Sequence, residues 1–178
     1  MPSRCASISD ETYYNVDFRT LGRDTPLVSG DFLRSYLVAG GVHYSAGHSF
    51  YNRPTGAAFD YSNVGYGLLG YLGGRIVGRD FRTYLREHLF DRLDMRQMSW
   101  MIADVPDRLR VTPYDVTDDG PSPTEPVSFP DWAAGMLRAS IISFMPFVAA
   151  SANGGAAARA RMLSKASMAQ MLDMHRLP

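Results

Sequence analysis

Between Ser62 and Gly78 the chain reads Ser-Asn-Val-Gly-Tyr-Gly-Leu-Leu-Gly-Tyr-Leu-Gly-Gly-Arg-Ile-Val-Gly, and this run limits the fold more than any other segment. Its apolar residues are interleaved with glycines, which carry no Cβ and therefore let a neighbouring backbone come unusually close. A helix over Ser62–Val77, closed at Gly78 and packed tightly in a core, fits this pattern. The string Gly65-Tyr66-Gly67-Leu68-Leu69-Gly70 also matches G-x-G-x-x-G, but the preceding residues, 55–63, neither alternate nor run continuously apolar. A dinucleotide fingerprint needs a buried strand there, so the glycines are read as packing positions.

Other helices follow from stripe and cap. Asp31 precedes the apolar set Phe32, Leu33, Tyr36 and Leu37, which predicts a helix over Asp31–Ala39. Asp80 is an N-cap candidate for a helix with Phe81, Tyr84, Leu85, His88 and Leu89 on its apolar face, so His88 is expected to be packed. A helix is expected from about Ser140, shortened or kinked by Pro146, and a last one is capped by Ser164 and carries Met168, Met171 and Leu172. Residues 1–30 read as an irregular N-terminal segment, and 41–61 as a long loop held by scattered aromatics. The stretch 118–130 holds four prolines and is expected to form no regular element, only a connection within a domain over 31–178.

Eighteen basic and eighteen acidic residues among 178 leave no net charge, so nothing steers the chain to nucleic acid. Cys5 is the single cysteine, which excludes an intrachain disulfide and a thiolate metal cluster. His43 and His48 lack a third ligand, so no metal site is expected. Ser45 in His43-Tyr44-Ser45-Ala46-Gly47 resembles half of a nucleophile elbow, but no strand leads into it. Residues 133–150 are apolar yet carry Arg138 and Pro146, which argues against a membrane span. No secretory signal peptide is read at the start, and the compartment is left open.

The residues that speak of chemistry are Tyr61-Ser62-Asn63. With Pro54 and Thr55-Gly56 before Phe59-Asp60-Tyr61-Ser62-Asn63, they resemble the Tyr-x-Asn element of the serine β-lactamase, penicillin-binding protein and esterase superfamily, the class C β-lactamase-related branch above all. Three further segments are similar to family landmarks and stand in family order: Phe81 to Met95 with Ser99-Trp100, Gly135 to Ser140, and Leu163 to Met168. The resemblance spans about 31–172 and implies a mainly α fold, the helical portion of the β-lactamase/transpeptidase-like α+β architecture.

It also implies a cofactor-free serine hydrolase that opens a β-lactam, peptide or ester through an acyl-enzyme. Tyr61 would relay a proton and the Asn63 amide would hold a substrate carbonyl or amide. The family's Ser-x-x-Lys is absent: the sole lysine, Lys165, directly follows Ser164, and Met162 stands three residues before it. No terminal Lys-Thr-Gly or His-x-Gly strand is read either, so the chain is expected to be a partial family member, weak or inactive alone. A phenol titrates near pH 10, so a tyrosine base near neutrality needs a shift of roughly three units. The alternative is a non-catalytic binding module on the same scaffold, with Tyr61 and Asn63 only capping and packing the glycine-rich helix. It predicts homo-oligomers or a bound partner.

Overall fold

The computed structural model describes residues 6–157 and 160–173. Helices predominate, and two small antiparallel ladders make the architecture α+β. In chain order the elements are α1 (Glu11–Asn15), β1 (Thr20–Leu21), α2 (Ser29–Leu37), α3 (Ala46–Ser49), α4 (Asn63–Val77) and α5 (Phe81–Leu85). A π-helical turn (Arg86–Phe90) continues α5. Then come β2 (Tyr114–Thr117), β3 (Gly120–Pro123), β4 (Val127–Ser128), a 3-10 turn (Trp132–Ala134), α6 (Ile141–Ala152) and α7 (Lys165–Leu172). β2 and β3 form a hairpin, whereas β1 reaches across the chain to β4 with Thr20 opposite Ser128.

α4 is the helix expected from the glycine-rich run. The Ser62 hydroxyl accepts the Gly65 N–H at 2.9 Å and so caps its start, and Gly78 ends it in the left-handed region at φ 71°. The helix packs on α2, on α5 and on the Trp132–Ala134 turn. The closest approach is to that turn. A Cβ on Gly67 would stand 2.7 Å from Asp131 Cβ, and one on Gly70 would fall on the Ala133 methyl. These glycines serve backbone proximity, as the sequence reading has it.

Caps at Asp80 and Ser164 form as expected, and Ser140 caps the helix expected to start near it, their oxygens accepting N–H groups two or three residues on. α2 begins two residues earlier than expected, with Asp31 inside its first turn rather than at its cap, where an acidic side chain still complements the helix dipole. Pro146 does not end α6, which runs six residues past it. The lost bond would have gone to Ile142, a residue 81% exposed, so water can take its carbonyl. His88 is exposed rather than buried, its ring stacked on Tyr84 at 4.1 Å. In α7 only Met168 is buried, while Met171 and Leu172 face outward.

Two expectations of irregularity are corrected. The segment before residue 30 carries α1 and β1, and it is well anchored: Ile8 and Phe18 join Phe32, Leu33, Tyr36 and Val64 in one core cluster. The fully buried Tyr36 hydroxyl donates to the Ser9 carbonyl at 2.8 Å and accepts the Tyr13 N–H at 3.1 Å, tying that segment to α2. The proline-rich stretch forms β3 and β4, because prolines are tolerated where the missing N–H faces no partner strand, as in a two-stranded hairpin. A second cluster joins Phe90, Leu93, Met95, Met98, Trp100 and Ala150. There Ser99 and Arg138 exchange backbone hydrogen bonds at 3.1 and 2.8 Å, which brings two of the separated landmark segments together.

Candidate functional site

The site is built on the N-terminus of α4, where four N–H groups of any helix lack intrahelical partners. Ser62 satisfies one. The Asp10 carboxylate, 53 residues upstream of Asn63 and only 4% exposed, meets two more: it accepts the Asn63 N–H at 2.5 Å and the Val64 N–H at 3.3 Å. It also accepts the Ser62 hydroxyl at 2.7 Å, which aims that oxygen's lone pair at Gly65. A carboxylate at a helix N-terminus is favoured by both hydrogen bonding and the helix dipole.

On this anchored turn Tyr61 and Asn63 meet. The Tyr61 hydroxyl donates to Asn63 Oδ1 at 3.0 Å, and Asn63 Nδ2 donates to the Tyr14 hydroxyl on α1 at 3.2 Å. The amide is thus held from both ends, its oxygen toward Tyr61 and its nitrogen toward Tyr14. Tyr61 leans on Tyr66 with ring centroids 5.7 Å apart and remains 47% exposed. Both residues singled out from sequence therefore share one surface.

The electrostatics oppose a phenolate. Partial burial pushes the Tyr61 hydroxyl above its ordinary value, and Tyr66, Asp10, Tyr14 and Asp131 all act in the same direction. No cation is among these influences, so within this chain Tyr61 is a neutral donor near pH 7. Lys165 opens α7 and is exposed.

Beneath the surface pair lies a second acid. Asp131 is 2% exposed, accepts the Tyr13 hydroxyl at 3.2 Å through Oδ1, and leaves Oδ2 without a partner. Burial, helped by the charge of Asp10, raises its carboxyl to about 6, against the hydrogen bonds from its own backbone and from Tyr13. The unpartnered oxygen is the natural seat of the proton. Burial drives the Tyr13 phenol strongly upward as well.

This gives a signed pH dependence. Because the folded-state value lies above the ordinary 3.8, the protonated carboxyl stabilises the fold. That contribution is fully present below about pH 4, is lost as pH rises through 6, and amounts to about 2–3 kcal/mol. In urea titrations the wild-type protein should lose this increment between pH 4 and 7, and Asp131→Asn should not. Identical slopes in the two proteins would remove Asp131 from the pH response. Exposed carboxylates paired with arginine, Asp80 with Arg82 and Glu87 with Arg79, are lowered and work in the opposite sense in both proteins.

The other sequence candidates do not join this site. Ser45 precedes α3 with its N–H bonded to Ser49 Oγ, and it is no strand-to-helix elbow. His43 packs edge-on against Phe18, and His48 pairs with Glu11 at 2.6 Å. Among the described residues no group of three His, Cys, Asp or Glu could hold a metal. No described helix is long and apolar enough to cross a membrane. Two cavities, of about 660 and 490 Å3, are lined by neither Tyr61 nor Asn63. Sequence reasoning missed Asp10, Tyr14 and Asp131; the one local signal for the first two is the pairing of acids and tyrosines in Asp10-Glu11-Thr12-Tyr13-Tyr14, and Asp131 has none.

The Beta-lactamase family profile matches residues 39–176. The chain belongs to the β-lactamase family. D-amino acid amidase from Ochrobactrum anthropi SV3, solved with L-phenylalanine amide, is similar with a TM-score of 0.64 and 20% identity over 94% of this chain and 44% of its own. The octameric penicillin-binding protein homologue from Pyrococcus abyssi matches with a TM-score of 0.57 and 16% identity over 93% of this chain and 42% of its own. At these identities the likeness is one of fold, and the β-lactamase-family chain spans under half the length of each structure. No curated protein matches it.

Proposed function

We propose that this chain supplies the Tyr-x-Asn part of an acyl-transfer site in a serine hydrolase that opens β-lactams, peptides or simple esters. The observation that carries the reading is the Tyr61–Asn63 pair, hydrogen-bonded to each other on an exposed helix start that Asp10 holds from below. In this reading a serine hydroxyl attacks the substrate carbonyl carbon, the bond to the leaving nitrogen or oxygen breaks, and the serine proton reaches the leaving group through the Tyr61 hydroxyl. Water then hydrolyses the acyl-enzyme. A neutral phenol suits such a relay, since it gives up one proton as it takes another. The remaining Asn63 N–H donates to the substrate carbonyl. The serine and its lysine are not supplied by any Ser-x-x-Lys within these 178 residues.

Two proteins test this reading. The chain alone, treated with a reactive β-lactam or a fluorophosphonate, is expected to show no adduct by intact mass. A chimaera that adds a Ser-x-x-Lys segment and a terminal Lys-Thr-Gly or His-x-Gly strand is expected to hydrolyse an activated ester, with Tyr61→Phe lowering kcat about 100-fold or more. An undiminished kcat in a folded Tyr61→Phe chimaera removes Tyr61 from the mechanism.

The second reading, a non-catalytic interaction module, draws on exposed apolar side chains: Ile76 at 83%, Ile142 at 81% and Val116 at 90%. The structurally similar penicillin-binding protein homologue from Pyrococcus abyssi is octameric, so self-association belongs to this reading. Sedimentation of the chain as a monomer that binds no hydrophobic dye would discount it.

A further inference from the structure

Resting on that acyl-transfer reading, we infer that Tyr14 is a specificity-determining residue of the site and selects substrates with an aromatic group beside the reacting carbonyl or amide. Asp10 serves the site twice over: its carboxylate fixes the N–H groups of Asn63 and Val64, and its backbone carbonyl accepts the Tyr14 N–H at 3.0 Å. One residue therefore sets both the amide that would hold a substrate and the ring standing next to it. The Tyr14 hydroxyl accepts from Asn63 Nδ2, so the phenol lies at the substrate-facing end of that amide. Its ring is held edge-on to Tyr13 with centroids 5.7 Å apart, yet the residue is 71% exposed. Phe59 at 54% and Tyr61 at 47% are exposed aromatics flanking the same turn.

A carbonyl bound at Asn63 would place its neighbouring substituent against the Tyr14 ring. An aromatic substituent gains ring-on-ring contact there, and a methyl group does not. Ring and hydroxyl have separable duties. The ring discriminates between substituents, and the hydroxyl orients the Asn63 amide for every ligand alike.

The probes are phenylacetamide and acetamide, titrated into the isotopically labelled 178-residue chain while the Asn63 side-chain N–H signals are followed by NMR. Wild-type protein should bind phenylacetamide roughly 3- to 10-fold more tightly than acetamide. Tyr14→Ala should bring the two affinities together, whereas Tyr14→Phe should keep the preference and weaken both ligands to a similar degree. At 71% exposure Tyr14 contributes little to the core, so both variants should fold. An aromatic preference that survives in Tyr14→Ala, or equal binding of both amides by the wild type, overturns the assignment while leaving the acyl-transfer reading standing. If neither amide moves the Asn63 signals, the acyl-transfer reading itself fails and the role of Tyr14 falls with it.

Discussion

Asp10→Ala should destabilise the protein by about 3–5 kcal/mol, a large part of what a single domain has to spare. The cost follows from what the carboxylate holds. Two backbone N–H groups at the start of α4 and the Ser62 hydroxyl all donate to a side chain that is itself 4% exposed. Truncation to a methyl group strands these donors where water scarcely reaches, and each stranded donor costs about 1–3 kcal/mol. Asp10→Asn should fall between the two, since its oxygen can serve Ser62 and Val64 while its NH2 group opposes the Asn63 N–H. Urea denaturation followed by far-UV circular dichroism measures both. A loss under 1 kcal/mol in Asp10→Ala would mean that α4 does not depend on this anchor. In the family chimaera the same change should also lower kcat, through the misplacement of Tyr61 and Asn63.

Gly70→Ala is expected to destabilise by about 1–3 kcal/mol, although alanine is the better helix former by about 1 kcal/mol. Helix propensity and packing pull in opposite directions here, and the contact decides. The added methyl would overlap that of Ala133, which is held by the Trp132–Ala134 turn against α4. The double change Gly70→Ala with Ala133→Gly moves the methyl from one side of the contact to the other, and most of the lost stability should return. Thermal unfolding of the two single variants and the double variant gives the coupling between the positions. If the effects of Gly70→Ala and Ala133→Gly simply add, the two do not touch as described. A rise in Tm for Gly70→Ala alone would say that propensity wins.

These two predictions draw on different parts of the sequence record. The glycine run announced a helix built for close approach, and α4 is that helix, from its Ser62 cap to its Gly78 end. The caps at Asp80 and Ser164 are equally plain, because a cap is a bond between residues two or three apart and needs nothing else. The Tyr61–Asn63 pair spans a similar distance, so local geometry alone brings the two side chains together.

Irregularity was the poorer inference. Residues 11–15 form a helix of five, too short to leave a periodic signature, and β4 has two residues in a stretch dominated by proline. Short elements like these owe their existence to the partner they meet: β4 lies against β1 more than a hundred residues away, and Ile8 and Phe18 are buried in a cluster with Phe32, Leu33 and Tyr36 of α2. His88 lies at the surface for a related reason. Its position on the helix stripe was right, but the continuation of α5 as a π turn alters the angular spacing of the last residues, and the stacked Tyr84–His88 pair stays at the surface.

What the sequence determined by itself is therefore the local frame: where helices begin, where glycines admit a neighbour, and that a tyrosine and an asparagine share a helix start. The tertiary structure decided which groups surround that frame. Asp10 under Asn63 and Tyr13 against Asp131 are pairings across 53 and 118 residues. Burial and the acidic groups gathered by the fold raise both the Asp131 carboxyl and the Tyr61 phenol. A local hydrogen bond is fixed by a few backbone angles, whereas desolvation and the field of distant charges exist only after the chain has closed on itself.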